Sequence, residues 1–222
     1  MSNILVIAPH PDDETLGCGG TLLKHKEEGH SINWLVMTCI KQGKEYSEQQ
    51  VKNQKNTISL VSKEYPFDDF HQANFQSSYL DTIPNILLID EVSNFIRKIK
   101  PDILYLPYPH DIHSDHERVF DAGISCAKSF RYPYIKKVRV YETLSETEFS
   151  LNIDGKGFKP NLFIDVSSQL EKKINIMKLY ESEMGKHPFP RSEDNIRSLA
   201  TLRGATAGCF YAESFMSIKE IL

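Results

Sequence analysis

The chain has 222 residues, 40% hydrophobic and 25% charged, ordinary proportions for a globular protein and enough for a substantial core. A formal net charge of -4 leaves no cationic excess to neutralise phosphates, and the basic runs at Lys136-Lys137 and Lys172-Lys173 have acidic residues nearby, which argues against a nucleic-acid partner. No stretch approaches the ~20 apolar residues of a membrane span, and the N-terminal apolar run lacks the basic start and length of a secretory signal, so a soluble protein is expected.

The first predicted element is a strand over residues 4–8, reading Ile-Leu-Val-Ile-Ala. It runs directly into His10-Pro11-Asp12-Asp13-Glu14. A helix over 15–28 follows, with Thr15 as a candidate cap and Gly29 just past its end. Gly17-x-Gly19-Gly20 lies inside it; without a complete GxGxxG, a close helix–strand contact is the better reading than a dinucleotide loop. A second strand is expected over 32–38 and a polar helix over 45–63, with Val51, Ile58 and Val61 as its sparse apolar stripe. A weaker strand falls within 68–78. Apolar residues at helical spacing then predict a helix over 83–98, ending before Pro101.

The strand expected at 103–106 leads to a second polar run, Asp111-Ile112-His113-Ser114-Asp115-His116. Weaker strands are expected at 138–141 and 162–166, and helices at 167–180 and 193–207. Between those helices, Gly185-Lys186-His187-Pro188-Phe189-Pro190-Arg191 is punctuated by prolines and reads as a loop, its His187 and Arg191 as surface side chains. His25, His30 and His71 have no partner motif and read as surface residues too. Alternating strands and helices predict an α/β fold: a Rossmann-like, mainly parallel sheet with helices on both faces. No linker or repeat divides the chain, so a single domain over 1–222 is expected. The four cysteines, Cys18, Cys39, Cys126 and Cys209, are widely spaced, with no CxxC pair, which points to reduced thiols and a cytoplasmic protein.

Both polar runs follow strands, so in a parallel sheet both would lie at the same edge. In His10-x-Asp12-Asp13 the adjacent carboxylates point in different directions, so that one can bind a metal while the other faces a water. That division suits hydrolysis, in which a divalent metal acidifies a water and a carboxylate takes its proton. Alone, the motif is equally compatible with aspartates in a βα turn. The second run adds imidazoles, and one histidine and one aspartate from the first cluster plus one histidine from the second meet the three-ligand count of a catalytic metal site.

Ala8-Pro9-His10-Pro11-Asp12-Asp13-Glu14, Gly17-Cys18-Gly19-Gly20 and Asp111-Ile112-His113-Ser114-Asp115-His116 together resemble the LmbE-like (PIG-L) deacetylases. The C-terminal Arg203-Gly204-Ala205-Thr206-Ala207-Gly208 and Tyr211-Ala212-Glu213-Ser214-Phe215 are similar to that family's closing segment, so the likeness spans nearly the whole chain. The resemblance implies His10, Asp13 and His116 as metal ligands and Asp12 as general base. It also implies His113 as the residue that stabilises the oxyanion and protonates the leaving amine, and Asp115 as the partner that orients His113 and keeps it charged.

The activity implied is zinc-dependent removal of an N-acetyl group from an N-acetylglucosamine-type sugar or its conjugate, with release of acetate. Fe(II) and Co(II) suit the same ligands. The alternatives are a metal-dependent amidase or thiol-conjugate hydrolase on a non-sugar substrate, and a non-catalytic sugar-binding protein of the same fold. The expected partner is a small amino-sugar substrate, with no nucleic acid and no membrane; the sequence leaves the oligomeric state open, a homo-oligomer included. One departure stands out. The family often carries an arginine early in the helix after the second strand, and here that segment reads Val51-Lys52-Asn53-Gln54-Lys55. Lys52 or Lys55 supplies the charge but not the bidentate fork.

Overall fold

In the computed structural model, which describes residues 1–151 and 155–222, the apolar runs become the middle of a seven-stranded sheet. β1 (Asn3–Ala8), β2 (Ser31–Cys39), β3 (Asp69–Gln76), β4 (Ile103–Pro107) and β5 (Lys137–Tyr141) pair in parallel. β6 (Leu162–Asp165) and β7 (Ala212–Glu220) complete the sheet beyond β5, with β7 antiparallel to both its neighbours. The spatial order is β3-β2-β1-β4-β5-β7-β6. The chain therefore turns to one side of β1 for β2 and β3, and to the other for β4 and β5. The gap between the carboxyl ends of β1 and β4 is the topological switch point, where open α/β sheets place their ligands.

Among the described residues six helices cover the two faces: α1 (Asp13–Glu27), α2 (Glu48–Glu64), α3 (Asn85–Ile99), α4 (Ser114–Ser125), α5 (Leu170–Met177) and α6 (Glu193–Ala207). The period-2 alternation of β1 divides the core between them. Ile4, Val6 and Ala8 pack with Leu16, Leu22, Ile58 and Leu170 on one face, whereas Leu5 and Ile7 pack with Val92, Ile96 and Val119 on the other. The expected fold class is the observed one. No helix among the described residues is long and apolar enough to cross a membrane.

Several boundaries move for local reasons. α2 starts at Glu48 because Ser47 and Gln50 form a reciprocal capping box. α5 is shorter than the expected 167–180 because Ser167 turns back to Asp165, its N–H and hydroxyl both donating to Oδ1. β7 was not expected. Its first residues, Ala212 to Phe215, are buried while its far end is more exposed and polar, so it lacks the continuous apolar run of a central parallel strand. His25 departs from its expected exposure: it is buried against β4, hydrogen-bonded to Tyr105 at 2.9 Å.

α1 carries the most unusual backbone. Its first turn and its body are separated by a kink at Cys18 (φ -144°, ψ 20°). There the N–H groups of Gly20 and Thr21 leave the helix ladder and donate to the Glu213 carboxylate at 2.8 and 2.7 Å. The Leu16 carbonyl, which Gly20 would otherwise satisfy, accepts from Lys173 Nζ at 2.9 Å instead. Lys173 also pairs with Glu213 at 2.6 Å, so one buried ion pair from α5 and β7 fills the break in α1. The glycines make room for this: a Cβ on Gly17 would collide with the Tyr141 ring, and one on Gly20 would sit 2.8 Å from Val166 Cβ. The expected close helix–strand contact is made at Gly17, against Tyr141 of β5, whereas Gly19 lies against Tyr65 and Lys173.

Candidate metal centre and active-site cleft

The loop after β1 and the loop after β4 meet at the switch point, and their side chains converge. His10, Asp13 and His116 each offer a ligand atom, all within 4.8 Å of one another. Asp13 Oδ2 lies 3.3 Å from His10 Nδ1 and 3.5 Å from His116 Nε2, and it also accepts the His10 backbone N–H at 2.8 Å. The outer nitrogen of each ring is held by a carboxylate: His10 Nε2 by Asp115 at 3.0 Å, His116 Nδ1 by Asp111 at 2.7 Å. Thr147 donates to the other oxygen of Asp111 at 2.6 Å. Those outer bonds fix the tautomers and aim Nδ1 of His10 and Nε2 of His116 inward, the arrangement usual for metal-ligating histidines. His116 Nε2 is buried and has no hydrogen-bond partner among the described residues. A buried nitrogen without a partner costs free energy unless something else meets its lone pair, and a cation seated among these three donors does so.

The three groups are also tightly coupled electrostatically. Burial alone would lower the His10 imidazole, but hydrogen bonds to Asp115 and Asp13 outweigh it and lift the group to about 10. For His116 burial again acts downward, and the charge of Asp13 with the Asp111 hydrogen bond overcomes it, raising the group. Burial would raise Asp13, yet the two imidazoles hold it well below the usual carboxylate range. The two imidazoles and the carboxylate thus hold one another in their charged forms. Two imidazole nitrogens and one carboxylate oxygen match the donor chemistry of Zn(II), Fe(II) or Co(II).

Asp12 sits beside this group in a backbone conformation that non-glycine residues avoid, φ 139°. Such a conformation costs about 1–3 kcal/mol and persists only where its surroundings fix it. Here the Asp12 N–H donates to Glu14 at 3.1 Å and its carbonyl accepts from Thr15 and Leu16. Glu14, fully buried, is held in turn by Thr15 and Tyr180 hydroxyls at 2.6 and 2.8 Å. The consequence is that Asp12 and Asp13, adjacent in sequence, point to different places: Asp13 into the histidine pair, Asp12 into the cleft. Burial, and then the Asp13 charge, push the Asp12 carboxyl well up, with Arg191 acting against them.

His113 caps α4. The Asp115 N–H donates to His113 Nδ1 at 3.2 Å, which leaves the proton on Nε2, directed toward Ser78 Oγ at 3.5 Å and the cleft. Here the geometry corrects an expectation. Asp115 does not hold the His113 ring through its carboxylate; its oxygens accept from His10, from the Ser78 N–H at 2.7 Å and from the Leu80 N–H at 3.1 Å. Burial, then the positive charge of His10, lowers the His113 imidazole to about 4, and the Asp115 charge acts against them. The Asp115 carboxylate stays near the ring, with an oxygen within 4.8 Å of a nitrogen of His113 and of His10, but its hydrogen bonds go elsewhere.

Arg191, expected at the surface, sits at the site. Its guanidinium bonds Asp12, Glu146, Glu183 and Ser145. The prolines flanking Phe189 were a loop signal, but nothing local indicated that the loop folds over residue 12. Lys52 and Lys55, considered above as stand-ins for the missing helix arginine, do not line the cleft; Gln50, Asn53, Gln54, Asn56 and Thr57 of α2 do. With Tyr46, Tyr180 and Glu183 they wall a cleft of about 760 Å³ whose floor is His10, Asp12, Asp13 and His113. That size suits a small molecule larger than a single sugar ring.

Fold and site define a class: an α/β protein with a candidate single-metal centre at the switch point of its sheet. The comparisons with known proteins take this further. Residues 5–127, more than half of the chain, match the family model PIG-L, GlcNAc-PI de-N-acetylase. The chain belongs to the PIG-L family and, with it, to the hydrolytic N-deacetylases. It is 25% identical to diacetylchitobiose deacetylase of Thermococcus kodakarensis over 236 aligned positions, covering 100% of this chain and 85% of that protein. Among solved structures, the conserved protein TT1542 from Thermus thermophilus has a TM-score of 0.79 at 22% identity, covering 100% of this chain and 97% of that one. N,N'-diacetylchitobiose deacetylase from Pyrococcus horikoshii has a TM-score of 0.78 at 19% identity, covering 97% and 83%. The 4-carboxy-2-hydroxymuconate hydratase of Pseudomonas putida shares the fold as well, with a TM-score of 0.73 at 15% identity and coverage of 100% and 98%. The fold alone therefore does not choose the reaction, and the site must.

Proposed function

We propose that the protein is a single-domain, metal-dependent N-deacetylase that removes the acetyl group from an N-acetylglucosamine-type sugar or a small conjugate of one. The observation that carries this reading is the convergence of His10 Nδ1, Asp13 Oδ2 and His116 Nε2, which no hydrogen bond engages among the described residues, beside a separate carboxylate, Asp12, that faces the cleft. His10, Asp13 and His116 would hold the metal, with zinc the preferred ion. The metal would polarise the acetyl carbonyl and make a water acidic enough to attack at neutral pH.

The remaining steps fall to the side chains. Asp12 accepts the proton of the attacking water, and its separation from Asp13 by the turn at residue 12 keeps it out of the ligand set. His113, with its proton on Nε2, donates a hydrogen bond to the oxyanion that develops on the carbonyl. A neutral imidazole in that tautomer stabilises the oxyanion without acting as the acid. Asp12, having taken the proton, is therefore the group that returns it to the departing nitrogen. Acetate and the free amine result. The wall of amide and hydroxyl groups on α2 supports a hydroxyl-rich substrate, because such groups both donate and accept.

Acetate release from a panel of N-acetylated amino sugars and non-sugar N-acetyl amides tests this reading. Release from the sugars by the metal-loaded protein is expected, with His116→Ala binding no metal and releasing none. Activity confined to the non-sugar amides would favour the amidase alternative, and bound metal without acetate from any member would leave a binding protein.

A further inference from the structure

Arg191 is contributed by a distant part of the chain, yet each of its side-chain nitrogens is engaged at the site. Nη1 meets Asp12 Oδ2 at 3.0 Å and Glu183 Oε2 at 2.5 Å, Nη2 meets Glu146 at 3.2 Å, and Nε donates to Ser145 Oγ at 2.7 Å. Its side chain is only 20% exposed. A guanidinium occupied in this way is not free to take an anionic group of a substrate. Its planar fork, fixed by two carboxylates and a hydroxyl, instead presents one N–H to Asp12 in one direction.

The same stretch of chain reaches the other end of Asp12. Tyr180 donates to Glu14 at 2.8 Å, and Glu14 accepts the Asp12 backbone N–H. So Tyr180 secures the unfavourable backbone of residue 12 while Arg191, further along the chain, secures its carboxylate, and Glu183 between them ties Arg191 back to the stretch. Asp12 needs this hold. It stands next to Asp13, whose negative charge repels it, and its φ of 139° is one that a free loop would relax.

We propose that Arg191 is a positioning residue for Asp12: the segment from Tyr180 to Arg191 clamps the base at its backbone and its carboxylate, keeping it out of the metal ligand set and aimed at the water. This rests on the reading of Asp12 as the general base. It assigns the loop a part in catalysis without contact with the substrate.

The experiment compares wild-type, R191A, R191K, D12N and D12N/R191A proteins, metal-loaded, on an N-acetyl sugar from which wild type releases acetate, with metal content and melting temperature recorded for each. A misplaced catalytic group costs on the order of 10²-fold, so R191A should lose about that in kcat with KM little changed and metal retained. R191K should not recover it, because a lysine lacks the fork, whereas added guanidinium should recover part of it in R191A. In the D12N background the R191A change should cost nothing further. A raised KM with unchanged kcat, or losses that multiply in the double variant, would overturn the proposal. A crystal structure of R191A provides a readout that needs no activity: the Asp12 carboxylate should have moved, and finding it in place would overturn the proposal as well. If wild type releases no acetate from any substrate, it is the deacetylase reading that fails, and the crystal structure alone decides the role of Arg191.

Discussion

At the scale of single residues, what decides the site is which atom of each side chain is left free. His10 and His116 have one ring nitrogen fastened to a carboxylate and the other turned inward, so Asp115 and Asp111 set the geometry of the candidate ligands. Outer carboxylates of this kind typically account for about 10–100-fold in metal affinity, and Asp111→Asn should weaken metal binding by about that factor, measured by competition with a chromogenic chelator. Asp12→Asn should instead bind metal as wild type does and lose about 10²–10⁴-fold in acetate release, the range that general acid–base catalysis contributes. Equal metal loss in both variants would contradict the separate roles given to Asp12 and the ligand shell. The side chains anticipated at the site, from His10 to His116, were legible because the two motifs are local and each follows an apolar run. The partner of Asp115 was not. Whether its carboxylate turns to His113 or to His10 depends on how α4 starts, and spacing along the chain does not contain that. Arg191 was illegible for a related reason: its carboxylate partners lie 179, 45 and 8 residues away.

At the scale of elements, the strands of the parallel half were readable from apolar runs, and α3 from its spacing. β7 was not, since only half of it is buried and its neighbours run the other way. Yet β7 supplies Glu213, which caps the second part of α1 across the Cys18 kink, with Lys173 of α5 completing the pair. The kink sets the direction of the first turn of α1, and that turn carries Asp13 and Glu14. Breaking one partner of a buried ion pair costs about 3–5 kcal/mol, because the other is left uncompensated. Lys173→Met should therefore lower the melting temperature by roughly 10 °C for a chain of this size. The double variant Lys173→Met/Glu213→Leu should not recover the loss in full, since the Gly20 and Thr21 N–H groups would then lack an acceptor. Calorimetry of the two variants checks both statements, and a wild-type melting temperature in Lys173→Met would contradict them.

At the scale of the molecule, the parallel sheet order places both motifs at one crevice, and this was foreseeable: any chain with two polar loops after neighbouring parallel strands brings them to the same edge. What the order adds is that β1 and β4 are adjacent although a long stretch of chain separates them, so the ligand set can close only once the sheet has formed. The fold is shared with a hydratase, so the architecture alone does not choose the reaction, and the proposed function rests on the candidate metal centre and Asp12 instead. The most direct test strips the protein of metal and titrates the metal back while acetate release from an N-acetyl amino sugar is followed. The account predicts no release from the stripped protein, a rise that levels off at one metal per chain, and no recovery in His116→Ala at any metal concentration the folded protein tolerates. Acetate release that survives removal of the metal, or that His116→Ala retains, would contradict it.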